Sequence, residues 1–130
     1  MNVPVYRVEH RKTGFGPYYI TEHRCGAIAR HLSSDLSNHP MPDEDGLGRV
    51  ESCELCGFRS IAQMQLWFKG AFYDIKLFNR VIRRYLVPKE YVRYGRHQVV
   101  FNKYYAGEGK VERKVLDQLI QADQPIRKRG

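Results

Sequence analysis

The spacing of apolar residues changes period several times along the chain, and each change marks an element. In Val3–His10, VPVYRVEH, side chains alternate: Arg7 and Glu9 share one face while Tyr6, Val8 and His10 share the other. With Pro4 near its start, this reads as a first or edge strand. The glycines and Pro17 of KTGFGPYY mark turns and leave Phe15, Tyr18 and Tyr19 as exposed aromatic surface. From Thr21, a candidate N-cap, Cys25, Ile28, Ala29, Leu32 and Leu36 recur on one helical face. Residues 38–49 form a long polar loop carrying Asp43, Glu44 and Asp45.

Farther along, Ser60 with Gln63 makes a capping box, and Ile61, Met64 and Phe68 then fall on one face, widened by Leu66 and Trp67. Gly70 interrupts this helix, and GAFYDIKLFNR extends or restarts it, with Phe72, Ile75, Leu77 and Phe78 available for burial. The β-branched run VIRRYLVP predicts a strand closed by Pro88, and Gly95 turns the chain into a second strand, HQVVFNKYY. Val111, Val115, Leu119 and Ile120 supply a last amphipathic helix before the tail QPIRKRG.

Strands and helices mix without regular alternation, which predicts an α+β fold rather than a doubly wound sheet. The expectation is a single domain over residues 1–122 and a flexible basic tail over 123–130. Val3–His10, Val81–Val87 and Gln98–Tyr105 lie in one small mixed or antiparallel sheet, covered by three to four helices. Trp67, the sole tryptophan, is assigned to the core.

A length of 130 residues fits one domain, and 42% hydrophobic with 28% charged residues is ordinary for a globular protein. The formal net charge of +8 points to an acidic partner, although such a charge also simply favours solubility. No apolar run approaches membrane-spanning length and the N-terminus lacks the order of a signal peptide, so a cytoplasmic location without membrane contact is expected. Three cysteines without a secretory signal argue against a disulfide framework.

Cys53 and Cys56 stand at C-x-x-C spacing before Gly57, as in one half of a zinc knuckle. The remaining candidates, Cys25, His23, His31 and His39, form no second knuckle, so the reading is two small thiols at a turn and no metal. No phosphate loop, dinucleotide fingerprint or nucleophile elbow is present. Basic residues interleave with aromatics at Arg83, Arg84 and Tyr85, from Tyr91 through Arg93, Arg96 and His97, and from Lys103 to Tyr105. Such a pattern suits stacking on bases while neutralising phosphates, or contact with a protein partner. Ordinary amphipathic packing with snorkelling charges produces the same pattern.

The segments YRVEH, GPY, HPMPDEDG, GFRSIAQMQLWF, LVPKEYV and GRHQVVF resemble a group of small bacteriophage and prophage proteins, from about Tyr6 to Phe101. That resemblance implies a phage-encoded accessory protein in the host bacterial cytoplasm. The expected role is inhibition of a host defence complex, in the manner of an anti-CRISPR, by binding a protein or protein–nucleic-acid partner. More distantly, the arrangement is similar to the split-sheet fold of ADP-ribosyltransferases, in which a first-strand Arg or His holds NAD and a late strand carries a catalytic Glu. Arg7 matches the first position and Gln98 falls near the second, and a ligand set of Arg7, His10, Tyr18 and Gln98 follows. Gln cannot ionise or stabilise an oxocarbenium-like centre as a carboxylate does, which favours a binding protein over an enzyme. A mono-ADP-ribosyltransferase using NAD and a nucleic-acid-binding protein are the two alternatives.

Overall fold

The computed structural model describes residues 1–17 and 39–123, and the helix expected from Thr21 and the basic tail fall outside them. Among the described residues the chain forms six strands and three helices: β1 (Asn2–His10), β2 (Glu54–Gly57), α1 (Ile61–Trp67), α2 (Phe72–Leu77), β3 (Arg80–Pro88), β4 (Val92–Tyr94), β5 (Val99–Asn102), β6 (Lys110–Val111) and α3 (Arg113–Asp123). The expected α+β class is what the chain adopts. Its strands, however, form two three-stranded antiparallel sheets, β1–β3–β6 and β2–β5–β4, rather than one.

β1 and β3 pair along their whole length, from Asn2 opposite Pro88 to His10 opposite Arg80. The strand expected at Gln98–Tyr105 is shorter, ends at Asn102 in a 3-10 turn over Lys103–Tyr105, and belongs to the second sheet. Its partner β2 occupies the stretch that spacing alone assigned to a thiol turn. β2 is so short that only pairing with β5 makes it a strand. The two sheets join where Tyr6 and Phe58 exchange backbone hydrogen bonds of 2.8 and 2.7 Å. Glycine is required beside that seam, since a Cβ on Gly57 would stand 2.7 Å from Val5 Cγ1 and 2.9 Å from the Tyr6 carbonyl.

The first sheet is covered on both sides. One face places Val8 and Ile82 against Phe58, Met64, Trp67, Phe68, Phe72, Ile75, Phe78, Leu116 and Leu119. The other sets Val5 and Val87 against Val92, Val99 and Phe101 of the second sheet. The α1 start follows its sequence signal: Ser60 Oγ accepts from the Gln63 amide at 3.0 Å, while Gln63 Oε1 accepts from Arg59 N, one residue earlier than the usual box. The stripe departs from expectation at Leu66, which is 76% exposed, and at Leu77, also exposed. Gly70 adopts φ +86° in the short link between the end of α1 at Trp67 and the start of α2 at Phe72. Among the described residues no helix is long and apolar enough to cross a membrane.

Candidate functional site

Between the loop following β1, the segment from His39 to Pro42, and strand β2 lies a cavity of about 430 Å³. Arg7 and Gln98, the two positions suggested by the transferase resemblance, both line it, together with Cys56, Trp67 and Phe68. Both are committed to the fold. Arg7 donates from Nη1 to the Cys56 carbonyl at 2.8 Å and from Nη2 to the Gly14 carbonyl at 3.2 Å, with Nε 3.5 Å from Glu9 Oε1. Gln98 donates from Nε2 to the Pro40 carbonyl at 2.9 Å.

Glu9 is the hub of a buried network. One oxygen accepts from the Tyr85 hydroxyl at 2.6 Å and the other from Arg83 Nε at 3.0 Å. Alternation along β1 and its pairing with β3 bring these groups to one face, between the sheets. Burial, and then the hydrogen bond to Glu9, push the Tyr85 hydroxyl well above the ordinary phenol range, so it stays a donor.

A second network ties the 41–47 turn to the β4–β5 hairpin. The buried Asp45 carboxylate accepts from the backbone amides of His97, at 2.9 and 3.1 Å to its two oxygens, and of Gln98 at 3.1 Å, and it meets His97 Nδ1 at 2.8 Å. Gly95 permits this approach, because a Cβ there would lie 2.5 Å from Asp45 Oδ2. Spacing could not reveal this pair, since 52 residues separate its members and Asp45 reads as one of three acids in a loop.

Cys53 and Cys56 are both free thiols, and among the described residues no group of three His, Cys, Asp or Glu side chains gathers to hold a metal. Cys56 faces the cavity from β2, and burial pushes its thiol up despite the opposing charge of Arg7. Alkylation of Cys56, followed by peptide mapping, should therefore lag a small reference thiol at pH 8 and catch up only at more alkaline pH. Labelling as fast as the reference at pH 8 would show that the thiol is not held in its protonated form.

The residues expected to meet a partner divide into two groups. Arg83 is engaged with Glu9, and Arg93 grips Glu54 with Nε at 2.9 Å and Nη2 at 2.8 Å while donating to the Leu47 and Arg49 carbonyls. His10 lies buried at the end of β1, where its Nδ1 accepts from the Lys12 and Thr13 amides. Arg84 is half-buried opposite Tyr6 and Lys110, whereas Arg96 and Lys103 are exposed. Tyr18 lies outside the described residues.

The hydrogen bonds from Arg93 hold the Glu54 carboxyl below its ordinary range. A depressed folded-state value means that the pair's contribution is complete above the unfolded carboxyl value of about 4.3 and fades as pH falls through the lower folded one. Arg93 is partly exposed, so Glu54→Gln should cost only about 0.5–1 kcal/mol at pH 7, and less with acidification. Urea midpoints measured from pH 7 to pH 3 check this; a difference from wild type that does not narrow in acid would contradict it.

Where the 3-10 turn follows β5, aromatic rings collect on the surface. Tyr91 and Tyr105 stack with centroids 3.7 Å apart and planes 5° from parallel. Tyr104 beside them is 74% exposed, with Lys103 Nζ 5.3 Å from its ring centre.

Residues 1–114 match the model of one protein family, described as Bacteriophage T4 Y00F protein. No curated protein and no solved structure matches the chain.

Proposed function

The chain belongs to the bacteriophage T4 Y00F protein family, and we propose that this small phage protein is an accessory factor that inhibits a host defence complex by binding it in the bacterial cytoplasm. The observation that carries the reading is the tyrosine surface. Tyr91, Tyr104 and Tyr105 present aromatic area beside Lys103, and the stacked pair is already ordered, so little side-chain entropy is lost when a partner covers it. Tyr and Arg dominate binding hot spots for this reason, and a net charge of +8 speeds approach to an acidic protein or protein–nucleic-acid face. By contrast Arg7, Arg83, Arg93 and Gln98 are occupied by internal partners.

The test is capture from host lysate with the wild-type protein and with a Tyr104→Ala/Tyr105→Ala variant, alongside phage plating on immune hosts. A defence component retained by the wild type and lost by the variant is expected, together with improved plating. No such component, and no change in plating, would end this reading.

Convergence of Arg7 and Gln98 on one cavity favours keeping an NAD-dependent mono-ADP-ribosyltransferase as the second reading. Against it, the guanidinium of Arg7 already serves two carbonyls and lies next to Glu9, and an amide stands where the carboxylate is needed. Calorimetry with NAD and mass spectrometry of treated lysate separate the two: an ADP-ribose adduct lost on Arg7→Ala would replace the binding reading with the enzyme.

A further inference from the structure

The tip of the β4–β5 hairpin and the end of α1 enclose a recess of about 370 Å³, lined by Gln63, Leu66, Trp67, Lys69, Arg96 and His97. Three of these side chains are basic, and among the described lining residues none is acidic. Several cations elsewhere pair with carboxylates, as Arg83 does with Glu9, Arg93 with Glu54 and Lys76 with Asp117. Among the described residues the side chains of Lys69 and Arg96 take no ion pair and no hydrogen bond. Both are exposed at the rim. We propose that this recess is a phosphate-binding site, which takes the phosphate of a nucleotide or of a nucleic-acid strand.

His97 makes the recess more than a cluster of flexible cations. Its Nδ1 is held 2.8 Å from Asp45 Oδ1 and its amide by both carboxylate oxygens, so the ring is fixed from behind. Nε2 lies on the opposite edge of an imidazole from such a contact, and the side chain is 40% exposed. The Asp45 carboxylate is fully buried and turned toward three donors, where it orients the imidazole instead of confronting a bound anion. Arg96 is set on the same turn, with its carbonyl accepting from Gln63 Nε2 at 3.4 Å and Gly95 N bonded to the Gln98 carbonyl at 2.8 Å. A planar guanidinium suits two phosphate oxygens at once, and an ammonium adds a point charge. Exposed Leu66 beside them gives a sugar or base an apolar surface to rest on.

The full-length protein would be titrated with inorganic phosphate, with a mononucleotide and with a single-stranded oligonucleotide, following the fluorescence of Trp67, which lines the recess. Saturable binding that weakens with salt is expected, and Lys69→Gln/Arg96→Gln should weaken it at least tenfold, about the effect of one charge-assisted hydrogen bond. His97→Asn, which keeps a donor toward Asp45 but removes the outer nitrogen, should weaken it as well, while Lys76→Gln should not. Circular dichroism of each variant verifies the fold. An oligonucleotide that binds far more tightly than the mononucleotide, with a steep salt slope, assigns the phosphate to a strand, and equal affinities assign it to a nucleotide. No saturable binding by any of the three, or binding unchanged in the double variant, overturns the site. The tyrosine substitutions leave the recess intact, so this result and that of host-partner capture are read separately.

Discussion

Glu9→Ala is expected to destabilise the protein by about 3–5 kcal/mol, the cost of removing one partner from a buried ion pair. Glu9 is only 4% exposed and Arg7 5%, so the charge left behind has no water to turn to. Arg7 keeps its two carbonyl acceptors, but its Nε makes no hydrogen bond and has Glu9 as its nearby counter-charge. Tyr85 loses the acceptor of its hydroxyl and Arg83 loses its carboxylate at the same time. The loss comes from stranding the cations more than from any large net value of the pair. Glu9→Gln, which retains one acceptor for Tyr85, should therefore fall between wild type and Glu9→Ala. An Arg7→Leu/Glu9→Leu double variant should recover part of the loss. Urea denaturation followed by circular dichroism measures all three; a Glu9→Ala cost below about 1 kcal/mol would mean that water reaches the network.

Trp67→Ala is expected to cost a similar 3–5 kcal/mol, here from lost apolar burial and the cavity left behind. The indole is buried with its centre 5.5 Å from the Phe58 ring and 5.2 Å from the His39 ring. Relaxation cannot close the gap easily, because Phe68 and Phe58 are held edge to face beside it. Since Trp67 is the sole tryptophan, the variant must be followed by circular dichroism. Trp67→Phe should cost clearly less than Trp67→Ala. Leu66→Ala, one residue away but exposed, should cost less than about 0.5 kcal/mol, as surface substitutions do. Equal losses at 66 and 67 would mean that Leu66 is as buried as Trp67 in solution.

Local rules carried the elements whose signals lie within a few residues. Alternation in VPVYRVEH separated Arg7 and Glu9 from Tyr6 and Val8 because side chains of one strand alternate whatever the strand pairs with. Ser60 and Gln63 declared the start of α1, and Gly70 the link that follows it, because caps and positive φ are satisfied by neighbours in sequence. The α+β class and the buried Trp67 followed from the same periodicities. β4 pairs with β5 as a local hairpin across the Gly95 turn, but only the tertiary structure decided that β5 takes β2 as its other partner instead of joining β1 and β3, since those hydrogen bonds link residues 42 to 48 positions apart, for which no local pattern exists. The same holds for function. Arg, Glu, Asp and His announce charge in a sequence, but their availability depends on who sits opposite. Arg83 and Arg93 were drawn into internal pairs with Glu9 and Glu54, while Lys69 and Arg96, which take no ion pair, face one recess beside a His97 anchored by Asp45, because the partner of each charge is set by the fold and not by its neighbours in sequence.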